Sequence, residues 1–440
     1  MKLGKEEMSW AVYKDSLSFI LFGKPLPHDC FLYKTSFSLN ADMIASKALG
    51  CVEVKGKNNW IEMIGVSREY ECSDPRDRVY ALQGLVAPYL ALAITPDYTK
   101  SAKDVLISIC LQDIETQRNL EFLHHCNAAA RPSWVADLDR PLSSLVIDCH
   151  VAPFSTPSAY LIEPGVLETG DISCDELDCD PILLPQKVIS RTDIEYRQQV
   201  VDMVNAFTSH NSHQDDNHLD RLTMALTYGA VRDYSLQKLQ TLNELSFYSL
   251  QDWRWKIRRW SNGTGDAVED LEDFRLTDRH FISSVPTGNT AMGIAKTRNE
   301  HFVRVPPQGR MDDIIAVLLG LRSPVVLRPQ SAGGYLVIGT CYHPGLSHGK
   351  SLLGDDFDGW EPLWDRNYYA EAFYKEGQPI RRTDPRLDSV TLEDGYVQNI
   401  GSRGYPCWGR VGSPLGYTDP RMSEEALKKR GVPVERFRLL

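Results

Sequence analysis

Ile314-Ile-Ala-Val-Leu-Leu319, Val325-Val-Leu-Arg328 and Tyr335-Leu-Val-Ile-Gly-Thr-Cys-Tyr342 are three apolar, β-rich runs parted by Gly, Pro, Arg and Ser. Runs of this length between turn residues predict strands. Upstream, Phe281–Val285, Thr290–Lys296 and His301–Val305 repeat the pattern, so six short strands are expected within about 65 residues. That density predicts a small barrel or rolled sheet over residues 275–345.

Further upstream the texture is helical. Asp74-Pro-Arg-Asp-Arg-Val-Tyr-Ala-Leu-Gln-Gly-Leu85 starts with an N-capping aspartate and a proline where a missing N–H costs nothing, and Asp77 stands where a capping box closes. Gly84 suits a left-handed helix end. Ser101 caps a second helix, with Asp104 three residues on and an apolar stripe of Ala102, Val105, Leu106, Ile109 and Cys110. Residues 151 to about 185 are rich in Pro, Ser and Asp and read as a connecting stretch, with helices returning at Thr192. The fold expected is therefore α+β: a mostly helical body, a small β-rich barrel-like module, and an irregular tail docked on the body. The expected segments are 1–150, 151–274, 275–345 and 346–440. Thr383-Asp-Pro-Arg-Leu387 and Thr418-Asp-Pro-Arg-Met422 echo one another and Asp74-Pro75-Arg76, each at the start of a turn or helix.

Composition bounds the function. In 440 residues, 48 basic side chains against 59 acidic ones leave a net charge of −11, which argues against a general nucleic-acid-coating role. No apolar run reaches the roughly 18 residues of a membrane span, and the N-terminal residues do not form a signal peptide. Ten scattered cysteines without a C-x-x-C read as reduced thiols, which places the chain in the cytosol or nucleus.

Sharper motifs were weighed against ordinary packing. Gly345-Leu-Ser347-His-Gly349 matches G-x-S-x-G, but a nucleophile elbow leads into a long helix and needs a later histidine, whereas His348 is the last in the chain. Asp355–Gly359 resembles part of a calcium loop with two anchor positions wrong. His124-His125-Cys126 are three neighbours whose side chains diverge, so no metal is expected there. Trp253-Arg-Trp-Lys-Ile-Arg-Arg-Trp260 interleaves cations with aromatic rings, as a binder of an anionic partner does, yet the acidic run 266–273 follows at once. No catalytic, cofactor or metal residue is expected from these patterns.

Cys72-Ser-Asp-Pro-Arg-Asp-Arg-Val-Tyr-Ala-Leu-Gln-Gly-Leu85 resembles the "DPRDKVYALLGL" stretch of fungal heterokaryon incompatibility (HET) proteins. Pro96-Asp-Tyr98 and Pro132-Ser-Trp-Val-Ala-Asp137 follow in that family's order. Asp278–Ser284, Arg310–Gly320, Pro324–Pro329 and Tyr335–Tyr342 resemble its C-terminal module, and Asp419–Gly431 its closing segment. The resemblance implies a protein of self/non-self recognition and programmed cell death, working through a protein partner and not as an enzyme. The family's TIR-like effector module precedes its "DPRD" segment. The 73 residues before Asp74 carry neither its "W-G" nor its "D-x-x-C-I-N-Q" motif, so the match is to the rear portion. Where the family closes its module with Val-His-Gly-Ile-Met-Asp-Gly-Glu, this chain has His343-Pro-Gly-Leu-Ser-His-Gly-Lys350 and lacks both acids. The alternatives are a serine hydrolase using Ser347, or a binder of an anionic partner through Trp253–Trp260.

Overall fold

The computed structural model describes residues 2–3, 6–7, 59–67, 72–126, 128–137, 150–183, 202, 205–207, 216–226, 258, 292–365, 370–401, 406–413 and 415–440. They form a mixed α+β protein with two compact units, Met1–Gln112 and Asp113–Leu440. The expected strand at Phe281–Val285 and helix at Thr192 lie outside the described residues.

In the first unit, strands β1 (Lys2–Leu3) and β2 (Glu6–Glu7) pair antiparallel. Helices Trp60–Ser67, Asp77–Tyr80 and Pro88–Ala93 precede a longer one, Ala102–Gln117. Trp60, Met63, Ile64, Leu90, Val105 and Ile109 are buried there. Ser101 caps the long helix as the sequence predicts: its Oγ accepts from the Asp104 amide at 3.1 Å and donates to the Asp104 carboxylate at 2.7 Å. The capping box at Asp74 does not form. The helix begins at Asp77, Asp74 instead accepts from the Arg76 amide at 2.9 Å, and Asp77 accepts from the Tyr98 hydroxyl at 2.6 Å. Nor is Gly84 among the left-handed residues.

What Asp74-Pro75-Arg76 builds is a clasp, and among the described residues it is built three times. In each, one aspartate oxygen takes the backbone N–H and Nε of the arginine two residues on, and the other takes Nη2. For Asp74–Arg76 these distances are 2.9, 2.9 and 2.7 Å; for Asp384–Arg386 they are 2.9, 3.0 and 2.6 Å. For Asp419–Arg421 they are 2.9, 3.0 and 2.7 Å. Proline in the middle sets the turn and removes a competing donor. The guanidinium, held flat, then fastens distant carbonyls: Arg76 holds those of Tyr98 and Lys100, Arg386 those of His348 and Gly354, and Arg421 that of Leu387. Two of the stretches that carry the family resemblance thus meet in the first unit.

The second unit is organised by a six-stranded sheet. Its strands are β3 (Tyr160–Glu163), β4 (Val166–Glu176), β8 (Ile314–Leu318), β9 (Val325–Pro329), β10 (Tyr335–Thr340) and β15 (Glu435–Leu439). The order is β15-β10-β9-β8-β4-β3, and β15 also pairs antiparallel with β4, so the hydrogen bonding returns on itself. A second sheet joins β5 (Ile182–Leu183), β6 (Gly293–Lys296) and β7 (Phe302–Val305). Two hairpins, β11 (Glu361–Asp365) with β12 (Ala370–Tyr374) and β13 (Tyr396–Ile400) with β14 (Pro406–Arg410), lie in the part expected to be irregular.

Two expectations are corrected here. The connecting stretch contains β4, eleven residues long, which pairs with β3, β8 and β15. The tail supplies β15, and Leu387, Met422, Leu427 and Val434 pack on the core formed by Ile172, Ile315, Val317, Val326 and Ile338. Each such aliphatic side chain, once fully buried, contributes about 1.5–3 kcal/mol. Ser133 pins the last residue: its amide donates to the Leu440 carbonyl at 2.6 Å, while its Oγ accepts from the Val337 amide at 2.9 Å. Trp134, fully buried, donates to the Gly165 carbonyl at 2.9 Å.

The clasps differ in burial, which orders their energies. Asp419 is fully buried and Arg421 nearly so, whereas Asp74 and Arg76 are each about a quarter exposed. Removing one partner of a buried pair strands the other charge, at a cost of about 3 kcal/mol. Asp419→Ala should lower the stability of its unit by that amount in urea denaturation, and Asp74→Ala should cost its own unit clearly less.

Glu121 gives a pH test. Its carboxylate receives Arg322 Nε at 3.1 Å and faces His124 Nδ1 at 3.2 Å. Burial alone would push Glu121 up, but His124 and Arg322 outweigh it and hold the group at about 2 against an ordinary 4.5. The unfolded chain therefore takes the proton first. The stability this carboxylate supplies is present above pH 4.5 and is lost as pH falls towards 2. Glu121→Gln should lower Tm at pH 7 and flatten the acid limb of a Tm-against-pH curve.

Candidate functional site

Where the two sheets of the second unit join, three segments place Asp175, His301 and His343 together. The bulge in β4 comes first. Ser173 pairs with Ala316 but Asp175 pairs with Ile315, so Cys174 is an extra residue that re-aims the next side chain. Past the strand, Leu177 bridges Thr297 in the turn between β6 and β7. That turn closes with the Thr297 amide on the His301 carbonyl at 2.9 Å, and the Thr297 hydroxyl accepts from the His301 amide at 3.1 Å. Glu300 takes a left-handed conformation (φ 63°) just before His301. The third segment follows β10: Tyr342 and Arg304 exchange backbone hydrogen bonds of 2.8 and 3.0 Å, which delivers His343 to the same place.

The three ligand-type atoms all lie within 4.8 Å of one another. Asp175 Oδ2 is 3.1 Å from His343 Nε2 and 3.6 Å from His301 Nδ1, and the two rings are tilted with centroids 4.7 Å apart. Asp175 and His343 are almost wholly buried, while the His301 side chain is 37% exposed. His301 therefore opens the cluster to solvent. Its Nδ1 is buried and has no hydrogen-bond partner.

Proton placement follows from geometry. The Gly345 amide donates to His343 Nδ1 at 3.1 Å, so that nitrogen carries a lone pair and Nε2 carries the proton, which it donates to Asp175. Burial pushes His343 below the usual histidine range, against the pull of Asp175. Burial would raise Asp175, but His301, His343, Thr297 and the Glu176 amide outweigh it and hold its carboxyl far below the ordinary range. The cluster is thus one fixed carboxylate between two imidazoles. Cys174 does not join it as a thiolate, because burial pushes its thiol up to about 12.

This arrangement can hold a cation. Two imidazole nitrogens and one carboxylate oxygen are a common donor set for a divalent transition metal ion. A metal on His343 Nε2 would move that ring's proton to Nδ1 and release the Gly345 amide, a hydrogen bond worth about 1 kcal/mol net. Gly345 is suited to the spot, since a Cβ there would stand 3.1 Å from both His301 Nε2 and His343 Cε1.

The residues singled out in the sequence lie elsewhere. Ser347 begins a 3-10 turn, Ser347–Gly349, followed by a helix of only four residues, Lys350–Leu353. Its Oγ is buried with no hydrogen-bond partner, so no base touches it. Asp355–Gly359 is a turn in which the Asp358 amide donates to Asp356, and Lys375 holds the Asp358 carbonyl at 2.6 Å. His124 bonds Ser323 Oγ at 2.9 Å, and Cys126 Sγ lies 3.7 Å from the Phe122 carbonyl. Trp253–Trp260 lies outside the described residues except Arg258, which pairs with Asp216. Asp175, His301 and His343 escaped notice as a group because no spacing rule joins residues so far apart in sequence. The one available signal was a histidine at the edge of each of two predicted strands, His301 opening His301–Val305 and His343 following Tyr335–Tyr342.

Comparison with protein-family models, curated proteins and solved structures finds no match to this chain.

The tautomer is directly observable. Nitrogen-detected NMR of the metal-free protein at pH 7 should show His343 with a protonated Nε2 and an unprotonated Nδ1. Gly345→Ala should push both rings by a few tenths of an ångström and shift the His343 ring resonances.

Proposed function

We propose that this chain is a heterokaryon-incompatibility-type protein that acts in self/non-self recognition through a protein partner, without catalysis of its own. The proposal extends to a cytosolic or nuclear location, to a helical first part, and to a small barrel-like β module. The observation that carries it is the β13–β14 hairpin. Among the described residues β13 pairs on one side only, and the Trp408 strand is covered on its other side by Gly416. The free edge has the sequence Tyr396-Val-Gln-Asn-Ile400, without a single charge. Val397 and Ile400 are exposed on it, Val411 is 72% exposed just past the end of β14, and Leu415 and Tyr417 are exposed on the far side of β14.

Soluble proteins usually blunt such an edge with lysine, proline or a covering element. An uncharged edge flanked by apolar side chains suits strand addition by an extended partner segment, with main-chain hydrogen bonds for affinity and side-chain pockets for choice. The hairpin is braced from behind by Trp408, buried against Phe154 with ring centroids 5.2 Å apart. Surface and support are therefore separable by mutation.

The test uses the fungus that the resemblance implies. Val397→Asp with Ile400→Asp should leave Tm within about 2 °C, because both side chains are exposed. The same double variant, at the native locus, should change the outcome of fusion with strains incompatible with the wild type. Fusion outcomes identical to wild type in both the variant and a complete deletion would contradict the proposal.

A further inference from the structure

We infer that Asp175, His301 and His343 form a binding site for one divalent transition metal ion of the Zn2+ type, which ties the end of β4, the β6–β7 turn and the segment after β10 together. The inference is independent of the partner-binding proposal. Tetrahedral Zn2+ with ligand bonds of about 2.0–2.2 Å sets its donor atoms roughly 3.3–3.5 Å apart. The two edges from Asp175, 3.1 and 3.6 Å, bracket that spacing, and the edge between the two histidines lies within 4.8 Å, so the His301 turn closes on the ion as it binds.

Four further observations point to a ligand. His301 Nδ1 is buried, has no hydrogen-bond partner, and lies beside the Asp175 oxygen already engaged by His343. The bulge at Cys174 exists where it re-aims Asp175 into this cluster. Asp175 has its other oxygen held by the Glu176 amide at 2.8 Å, which fixes the carboxylate's orientation in the way outer-shell partners fix metal ligands. Finally, Gly345 leaves the space between the rings and the backbone free of a side chain. Binding needs no net proton release: the ion replaces the proton on His343 Nε2, that ring is protonated at Nδ1 instead, and the already ionised Asp175 offsets one of the ion's two positive charges.

The experiment uses the full chain, stripped of metal with a chelator and titrated with Zn2+ in competition with a chromophoric chelator. Wild type should take up one Zn2+ per chain at this site and melt at a higher temperature with it. His301→Ala, on a half-exposed turn, should lower the metal-free Tm by a few degrees yet fold, and bind Zn2+ at least about 100-fold more weakly. Co2+ supplies a readout that needs no variant: the loaded wild type should show ligand-field bands of a four-coordinate site and paramagnetically shifted ring protons from His301 and His343. Failure of wild type to bind Zn2+ would overturn the inference. So would equal binding by His301→Ala, or Co2+ that shifts other histidines and leaves these two unmoved.

Discussion

The second unit depends on one strand being paired along both edges. β4 bonds β15 through Leu167–Asp171, β8 through Asp171–Glu176, and β3 through Val166–Glu168. A strand so placed must bury whatever it carries, and β4 carries Asp171 at zero exposure. Thr169 donates to one oxygen of that carboxyl and the other lacks a partner. Burial pushes Asp171 well above the usual carboxylate range, so the group is most at home protonated. Four residues on, the same strand bulges and presents Asp175 to two histidines. Sheet closure and candidate site are two consequences of one piece of backbone.

The second constraint is how a tail of short elements stays on the core. Long helices would hold themselves by propagation, but turns of three residues do not. Asp-Pro-Arg supplies the missing rigidity locally and exports it through the arginine. Arg386 reaches back to His348 and Gly354, Arg421 reaches back to Leu387, and Arg430 in turn donates to the Arg421 carbonyl at 2.7 Å. Arg421 and Arg430 thus each grip the fastened turn before them. The result covers the core with Leu387, Met422 and Leu427 without a long regular element.

What the sequence made legible was whatever is encoded locally. The strands at 293–296, 302–305, 314–318, 325–329 and 335–340 announce themselves by short, mostly apolar, β-rich runs between turn residues, the Ser101 cap by its Asp104 partner, and the clasps by a repeated tripeptide. β4 stayed hidden because Val166-Leu-Glu-Thr-Gly-Asp-Ile-Ser-Cys-Asp-Glu176 mixes acids into both faces, so its period-2 burial of Leu167, Thr169 and Asp171 is not a hydrophobic alternation. β15 stayed hidden for a related reason, with Glu435, Arg436 and Arg438 exposed between buried Phe437 and Leu439. The site inherits both difficulties: its carboxylate sits on the disguised strand, and its histidines meet only through sheet closure.

Hydrogen exchange of the native protein, resolved by residue, tests that account most directly. If β4 and β15 close the sheet, the amides of Leu167–Ile172 and of Arg436–Leu439 engaged in their pairing should exchange only through global unfolding, as slowly as those of Val326 and Val337 in β9 and β10. Exchange in β15 or β4 at the rate of exposed turns such as 331–334, while β9 and β10 stay protected, would mean that the sheet does not close through its C-terminal strand, and the convergence of Asp175 with the two histidines would lose its support.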